Sequence, residues 1–451
     1  MVGTSPIFPR RDTIFALASG AGRAAIAALR LSGPACASAL AALAPGARFP
    51  DRVATLRLLC DPATGEPLDR ALVVRFLAPR SFTGEEMAEL HVTGGRAVIA
   101  GVVGALAKIP GLRPAEPGEF AWRAFENGKL GLSEVEGIAD LVEAETAAQR
   151  RQALRLAGGA LSRETEAIRS KLLEAMAILE AQIDFSDIED ADSLSLDAAR
   201  ALAGEAARRV RTALAGAEAG ARLREGFNVV IAGPPNVGKS TLMNALARRD
   251  VSIVSSIPGT TRDVVEVSLD LRGYPVTLVD TAGVRESDDP IEREGVARAR
   301  RRAAEADLTL WLNDAADPIA APPPGGGPTI AVLTKVDRLP AGEALQPPAD
   351  ASIRISALTG AGIEPLLDAV ADLAEERMAG PAPALIALER HRAAFADALG
   401  ALERALDPSA LELELVAEDL RLAARALERI AGRIDVEEVL GDIFSRLCVG
   451  K

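Results

Sequence analysis

Apolar residues recur along this chain with more than one spacing, and each spacing predicts a different kind of structure. In residues 1–127, short strand-like runs such as 13–17 and 71–76 alternate with Gly/Pro turns and a predicted helix over 96–109. This mixture is typical of an α+β domain. From residue 128 to 223 the apolar positions follow helical spacing, beginning with a predicted capping box at 133–136, and they indicate long helices.

Residues 224–380 follow a third pattern, in which largely apolar runs alternate with helical segments. The runs 227–232, 276–279 and 331–333 have the composition of buried parallel strands, so this segment predicts an α/β domain. Helical spacing returns over 381–451. The predicted fold is therefore a multidomain combination of α/β and all-α parts. Because inserted domains have termini that lie close together, we expect the two helical segments to pack as one discontinuous domain.

Composition and charge narrow the possible functions. The chain has 451 residues, enough for about three domains. Its net charge of −13 gives little non-specific attraction to nucleic acid, so any RNA contact is expected to be local or delegated to a partner. Four arginines spaced four apart, at 421, 425, 429 and 433, are either a solvated stripe or such a contact.

The spacing of the cysteines and the length of the apolar stretches indicate the cellular compartment of the protein. Cys36, Cys60 and Cys448 are far apart and show no metal-binding spacing, so we expect a reduced, cytoplasmic protein. Residues 1–11 lack the apolar centre of a signal peptide. No stretch reaches the roughly 18 uncharged apolar residues of a membrane span, and no membrane association is expected.

The most informative motif is Gly-Pro-Pro-Asn-Val-Gly-Lys-Ser at 233–240, directly after the apolar run 227–232. This is the pattern of a phosphate-binding loop, in which glycines let backbone amides face the phosphates. Lys239 would reach the β and γ phosphates, and the Ser240 hydroxyl would bind Mg²⁺.

Three motifs downstream complete a GTPase. Asp280 begins Asp-Thr-Ala-Gly and would hold Mg²⁺ through water, while Thr261 in the segment 258–263 would complete the metal shell. Asp337 ends Thr-Lys-Val-Asp and would accept the two N–H donors of guanine, which adenine lacks. The predicted GTP-binding residues are Asn236, Val237, Gly238, Lys239, Ser240, Thr241, Ser255, Ser256, Ile257, Pro258, Gly259, Thr260, Asp280, Thr281, Ala282, Gly283, Thr334, Lys335, Asp337, Ser356, Ala357 and Leu358.

The chain lacks the usual residue for orienting the attacking water. Val284 follows the Asp-Thr-Ala-Gly motif, where many small GTPases have glutamine, so charge stabilisation must come from elsewhere. Asn236 could help to hold a monovalent cation against the phosphates, or could merely stabilise the loop turn. Glu292 could orient water through a bridging molecule, or could be a solvated glutamate at a helix start. The predicted catalytic residues are thus Lys239, Asn236 and Glu292.

Strings outside the nucleotide segment resemble one family over essentially the whole chain. They include Leu-Arg-Leu-Ser-Gly at 29–33, Ser-Phe-Thr-Gly-Glu-Glu at 81–86, Pro-Gly-Glu-Phe at 117–120 and the final Cys-Val-Gly-Lys. The sequence is similar to the tRNA-modification GTPases called MnmE or TrmE. The resemblance implies a folate-binding, dimer-forming N-terminal domain (1–127), a helical domain in two parts (128–223 and 381–451) and an inserted Ras-like P-loop GTPase domain (224–380).

The resemblance also implies ligands and partners. It assigns 5-formyltetrahydrofolate or a related reduced folate to Arg30, Glu89, Lys129 and Lys451, and it leaves a chemical role open for Cys448. It assigns K⁺ to Asn236, Ser255, Ile257 and Thr260, and Mg²⁺ to Ser240 and Thr261. The implied partners are a second copy of the chain, an MnmG-type flavoprotein and tRNA.

Two departures from the family pattern are visible. Thr93-Gly94-Gly95 stands where the family commonly has His-Gly-Gly, and Thr334 stands where it usually has Asn. We therefore expect a K⁺-dependent GTP hydrolase that, with a flavoprotein, modifies C5 of the wobble uridine of certain tRNAs. The alternative is a GTP-switched ribosome or RNA assembly factor without modification chemistry, although such a factor would be expected to carry a basic appendage that this acidic chain does not show.

Overall fold

A computed structural model describes most of the chain. The residues it describes are 12–20, 22–184, 192–249, 251–253, 266–280, 306–316, 327–339, 353–380, 384–408, 412–432 and 450. They divide into two compact units, each made of separate stretches of sequence. The first comprises Met1–Ala139, Ala157–Arg163 and Leu427–Lys451, and the second comprises Asp140–Leu156 and Glu164–Ala426.

The first unit is built on a six-stranded sheet with the strand order β3-β4-β5-β2-β1-β6. Neighbouring strands are antiparallel except β1 and β6, which are parallel. The strands are β1 (Thr13–Leu17), β2 (Ile26–Ser32), β3 (Thr55–Cys60), β4 (Pro67–Phe76), β5 (Met87–Thr93) and β6 (Leu112–Pro114). Helices α1 (Cys36–Leu43) and α2 (Arg96–Ala107) bury their apolar side chains against one face of this sheet.

The alternation of side chains decides which face is covered. Leu29, Leu31 and Leu90 point toward the helices and are fully buried. Their neighbours along the strands, such as Arg30 and Glu89, lie on the opposite face and are only partly buried. Strand pairing places Arg30 directly beside Glu89. The α+β fold predicted for this part of the chain is confirmed.

Helices α3 (Glu119–Glu126) and α4 (Leu132–Glu143) follow the sheet. The predicted capping box at the start of α4 is wrong. Ser133 lies inside the helix and its hydroxyl bonds that of Ser162 at 2.9 Å, while the Glu134 carboxylate, and not Glu136, accepts the N–H of Gly131. The sequence pattern placed the helix start two residues too late, because Gly131 rather than Ser133 precedes the first turn.

The second unit contains helices from both sides of the nucleotide-binding segment. They are α5 (Ala147–Ala157), α6 (Ala160–Asp184), α7 (Asp192–Ala215), α8 (Ala217–Glu225), α11 (Glu389–Ala405) and α12 (Leu413–Glu428). Ion pairs join the two sides: Arg211 contacts Glu403 at 2.9 Å, and Arg421 contacts Glu180 at 3.0 Å. Arg421 of the arginine stripe is therefore paired with acidic neighbours.

The points where the chain enters and leaves the nucleotide-binding segment lie side by side. The Gln152 amide donates to the carbonyl of Gly220 at 3.0 Å and to that of Ala384 at 3.4 Å. Gly220 approaches the other segment so closely that an added Cβ would lie 2.2 Å from the carbonyl oxygen of Ile386. This contact requires glycine at position 220.

A second six-stranded sheet has the order β12-β11-β10-β7-β9-β8, in which only β8 is antiparallel to its neighbour. Its strands are β7 (Phe227–Ala232), β8 (Glu266–Leu271), β9 (Tyr274–Asp280), β10 (Leu308–Asp314), β11 (Thr329–Thr334) and β12 (Ile353–Arg354). Helices α9 (Lys239–Ala247) and α10 (Ile363–Met378) bury apolar side chains in the same core. The predicted α/β fold of this segment is confirmed.

The parallel strands bring their carboxyl ends to one edge of this sheet, where ligands bind in open α/β folds. None of the helices described in either unit is long and apolar enough to cross a bilayer.

Candidate functional site

The phosphate loop runs from the end of β7 to the start of α9. Gly233 has φ 145°, and a Cβ there would lie 2.3 Å from the carbonyl oxygen of Leu312, so no other residue fits. Asn236 and Gly238 are also left-handed, at φ 62° and 103°. Left-handed residues at these positions turn neighbouring backbone amides toward one point, which makes an anion-binding concavity at the N-terminus of α9.

Lys239 and Ser240, which are predicted to contact phosphate and Mg²⁺, lie in the first turn of α9. The buried Lys239 ammonium donates to the carbonyls of Gly233 at 2.9 Å and Pro234 at 2.8 Å, across the mouth of the loop. The Ser240 hydroxyl donates to the Asp280 carboxylate at 3.0 Å. A hydroxyl and a carboxylate at hydrogen-bonding distance are a donor set that suits Mg²⁺. Thr241 follows on the exposed side of α9.

The guanine end of the site lies on the next strands of the same sheet. Asp337 is exposed on a short 3-10 turn, Val336–Arg338, directly after β11. The buried Ser356 anchors the loop after β12, because its hydroxyl accepts the N–H of Thr359 at 3.2 Å. Ala357 is half-buried and Leu358 is 82% exposed, so the Leu358 side chain is available to cover a base.

Two residues tie the guanine end to the phosphate loop. The Thr334 hydroxyl lies 2.6 Å from the carbonyl oxygen of Val237. The Lys335 ammonium donates to the carbonyl of Asn236 at 2.7 Å and to the Asp314 carboxylate at 2.8 Å. Sequence reasoning missed Asp314. The signal was present, because Asp314 ends an alternating apolar strand next to β11, as Asp280 ends β9.

Several predicted site residues lie outside the described part of the chain, and their assignments stay predictions. They are Ser255, Ser256, Ile257, Pro258, Gly259, Thr260, Thr261, Thr281, Ala282, Gly283, Glu292, Cys448 and Lys451.

A second polar site lies on the open face of the first sheet. The Arg30 guanidinium donates to the Glu89 carboxylate at 3.0 and 3.2 Å, and to the carbonyl of Gly450 at 3.4 Å. It lies 5.3 Å from the ring centroid of Phe82 and 5.9 Å from that of Phe120. Sequence reasoning quoted both phenylalanines in motifs without giving them a role.

The neighbours of this pair include other predicted residues. His91 lies 3.4 Å from the second oxygen of Glu89. Lys129 is exposed, and its stem lies beside Gly84 in the loop that carries Phe82. Gly450 packs so closely on β1 that a Cβ there would lie 2.4 Å from the Cα of Ala18. The tail thus places Gly450 next to Arg30.

A buried charge network supports the loop that carries Phe82. Arg123, whose side chain is 6% exposed, donates to Glu119, Glu85 and Asp12 at 2.9 to 3.0 Å. Arg113 also binds Glu119 and Asp12, and the Glu119 hydrogen bond is the main cause that raises the pKa of Arg113. These bonds fix the 81–86 loop against α3.

Comparison with known proteins assigns the family. Residues 132–448 match the model of the MnmE helical domain, and residues 13–129 match that of the N-terminus of the GTP-binding protein TrmE. The chain belongs to the MnmE (TrmE) family of tRNA-modification GTPases. The tRNA modification GTPase MnmE of Beijerinckia indica is 52% identical over 98% of this chain and 96% of its own length. That of Methylobacterium sp. is 53% identical over 98% of this chain and 100% of its own.

A solved structure, the G domain of the T. maritima FeoB iron transporter, aligns with 33% of this chain and 98% of its own length, at 25% identity and a TM-score of 0.23. Membership of the family makes the chain a GTPase of tRNA modification.

Proposed function

We propose that this chain is a K⁺-dependent GTP hydrolase that acts with an MnmG-type flavoprotein in the cytoplasm. Together they would modify C5 of the wobble uridine of certain tRNAs, adding a carboxymethylaminomethyl-type group with a carbon unit from a formyltetrahydrofolate-type donor. The observation that supports the proposal is the exposed side chain of Asn236 in the phosphate loop.

Asn236 is exposed and left-handed, and no hydrogen bond to its carboxamide occurs among the described residues. Its backbone carbonyl is bound by Lys335, so the residue is fixed while its side chain remains available. An amide oxygen held in this way suits a monovalent cation. When bound, such a cation would supply positive charge beside the β and γ phosphates, which a valine at position 284 cannot replace.

The protein's own residues prepare the phosphate end of GTP. Lys239 neutralises phosphate charge, the loop amides orient the phosphoryl oxygens, and Ser240 with Asp280 would hold Mg²⁺. Thr261 and Glu292 are proposed to complete the metal shell and to orient water. Asp337 accepts the N1–H and the amine of guanine and so selects GTP.

Hydrolysis rates test the cation. We expect GTP turnover in KCl to exceed turnover in NaCl by about tenfold or more, and Asn236→Ala to remove the difference. Asn244→Ala, which changes an exposed asparagine on α9 beyond the loop, is the matched control and should retain the difference. Equal rates in both salts for the unmodified chain would contradict the proposal.

The open face of the first sheet is the proposed folate site. Glu89 offers carboxylate oxygens to the N–H groups of a pterin, and the Phe82 and Phe120 rings beside Arg30 offer apolar surface to a flat ring. Arg30, Lys129 and Lys451 suit the carboxylates of a glutamate tail.

Calorimetry with 5-formyltetrahydrofolate tests the folate site. Glu89→Gln should weaken binding by at least about tenfold, because a charged acceptor is lost. Glu66→Gln, on an exposed turn before β4, is the matched control. Unchanged affinity in Glu89→Gln would refute this assignment.

The same face is proposed to meet a second copy of the chain. Strand pairing places Leu56 beside Leu72, and Leu72 beside His91, on this open face. Leu56 is 53% exposed and Leu72 is 38% exposed, and Ile26 on the same face is 62% exposed. An exposed apolar patch on a sheet is typical of an interface. Light scattering should show a dimer for the unmodified chain and a monomer for Leu56→Lys with Leu72→Lys.

Nucleoside analysis tests the whole pathway. Mass spectrometry of tRNA from a deletion strain should show loss of the C5-modified wobble uridine. Restoration by the unmodified gene but not by Lys239→Ala would link the modification to nucleotide binding. Unchanged wobble uridines in the deletion strain would favour the assembly-factor alternative.

A further inference from the structure

Asp314 ends strand β10 and lies beside the guanine motif. Strand pairing places Asp314 directly opposite Thr334, so its carboxylate is next to the Lys335 side chain. That carboxylate accepts the Lys335 ammonium at 2.8 Å through one oxygen and the N–H of Ala316 at 3.0 Å through the other. The hydrogen bond from Ala316, in the turn that follows β10, therefore holds the Asp314 carboxylate in one orientation.

Lys335 joins this carboxylate to the phosphate loop. Its ammonium donates at the same time to the carbonyl of Asn236, at 2.7 Å. Both Lys335 and Asn236 are left-handed non-glycine residues, at φ 58° and 62°. A left-handed backbone is unfavourable for lysine, whereas asparagine tolerates it, and a lysine persists there where surrounding contacts fix it. The Asp314–Lys335–Asn236 chain of contacts joins both left-handed positions.

The neighbouring residue Thr334 also contacts the phosphate loop, but its side chain can donate only one hydrogen bond. Its hydroxyl lies 2.6 Å from the carbonyl oxygen of Val237 and 3.1 Å from that of Asn313. A hydroxyl has one proton and can donate to only one of them, whereas the amide of an asparagine has two donors. Lys335 is therefore the second donor that this motif gives to the phosphate loop.

We propose that Asp314 is a positioning residue for nucleotide binding, which holds the Lys335 ammonium against the Asn236 carbonyl and so fixes the bend of the phosphate loop. Asp314 does not touch the phosphates in this arrangement. The hydrogen bond from Lys335 is the largest influence on Asp314 and lowers its pKa, so the carboxylate is charged at neutral pH. The proposal rests on the GTPase identity of the chain and is independent of the monovalent cation.

Release of a fluorescent GDP analogue, measured in NaCl, tests the proposal. Asp314→Ala should release the nucleotide about tenfold faster, which corresponds to about 1.4 kcal/mol. Asp314→Asn keeps an oxygen acceptor for Lys335 and should show a smaller effect. The GTP KM, also measured in NaCl, should rise in parallel and by a larger factor than kcat changes, because the proposed effect is on the bend of the loop that binds the nucleotide.

A double-mutant cycle shows whether Asp314 acts through Lys335. Asp314→Ala added to Lys335→Ala should cause no further change in release rate, since the mediating side chain is already gone. Asp368→Ala is the control, because Asp368 also pairs with a cation, Arg272 at 2.7 Å, on the exposed side of α10. It should leave release unchanged.

Three results would overturn the proposal. They are a release rate within twofold of the unmodified chain for Asp314→Ala, effects of Asp314→Ala and Lys335→Ala that multiply independently, or an equal effect of Asp368→Ala. Thermal unfolding of each variant identifies any that fail to fold. If Asp314→Ala fails to fold, the isosteric Asp314→Asn takes its place, and a release rate equal to that of the unmodified chain would then overturn the proposal.

Discussion

Replacing Arg123 by methionine should destabilise the first unit selectively. The Arg123 side chain is 6% exposed, and it binds the carboxylates of Asp12, Glu85 and Glu119 and the carbonyl of Asp12 at 2.9 to 3.0 Å. Methionine keeps a similar apolar stem and removes every donor. Asp12 and Glu119 would then share the single cation of Arg113, and Glu85 would lose its ion pair with Arg123.

The size of the effect follows from burial. Removing one partner of a buried ion pair costs about 3–5 kcal/mol, because the remaining charges lose their compensation. Glu119 is fully buried, so water cannot replace the lost donor without opening the structure. With a urea slope of about 2 kcal/mol per molar, the midpoint should fall by about 2 M.

Tryptophan fluorescence can follow this unit alone. The chain has two tryptophans, and Trp122 is 7% exposed beside Arg123. In a Trp311→Phe background, Trp122 reports the first unit. Arg80→Met is the control, because the Arg80–Asp51 pair at 3.0 Å is on the surface with Arg80 72% exposed. It should cost no more than about 1 kcal/mol. A loss below about 1 kcal/mol for Arg123→Met would refute the reasoning.

Three further predictions concern the pH dependence of stability, the proposed Mg²⁺ ligand and the recognition of guanine. Burial alone would raise the pKa of Asp12, but Arg113 and Arg123 outweigh it and hold the pKa below 3.8. The stability from Asp12 is thus present above about pH 4 and lost as pH falls through the lowered pKa; urea midpoints at pH 5 and pH 3 should differ less in Asp12→Asn. Ser240→Ala should lower kcat/KM for GTP by roughly 10²-fold even in excess Mg²⁺, measured by phosphate release. Asp337→Asn should weaken GTP binding by about 10²- to 10⁴-fold and favour XTP, whose C2 oxygen accepts the new amide, as competition assays would show.

The sequence predicts best where one strong local pattern decides the structure. The run 227–232 is apolar except for Asn228 and is bounded by glycines, and it forms β7 over the same residues. Asp280 follows from the same logic, because a carboxylate after an apolar strand must appear at the sheet edge. The motif Gly-Pro-Pro-Asn-Val-Gly-Lys-Ser constrains its own backbone and predicts the left-handed glycines.

Features that depend on strand pairing were not predictable in the same way. The contact between Asp314 and Lys335 requires the register that sets Asp314 opposite Thr334, and no local pattern gives that register. The charge network around Arg123 joins positions as distant as 12, 85 and 119, each of which alone is typical of a solvated surface. The start of α4 was misassigned because Ser133 and Glu136 match a capping box while Gly131 and Glu134 form the actual cap.

The contact of Gly220 with Ile386, joined by Gln152, bears on how this architecture arose. Where two segments of the chain meet at a single point, the domain between them can be excised and the cut ends can be reconnected with a short linker. A chain lacking the residues between these positions should therefore still fold its helices, and the excised piece should fold separately. Such modularity would allow the nucleotide-binding module to be acquired, lost or exchanged as one genetic unit without redesign of its host.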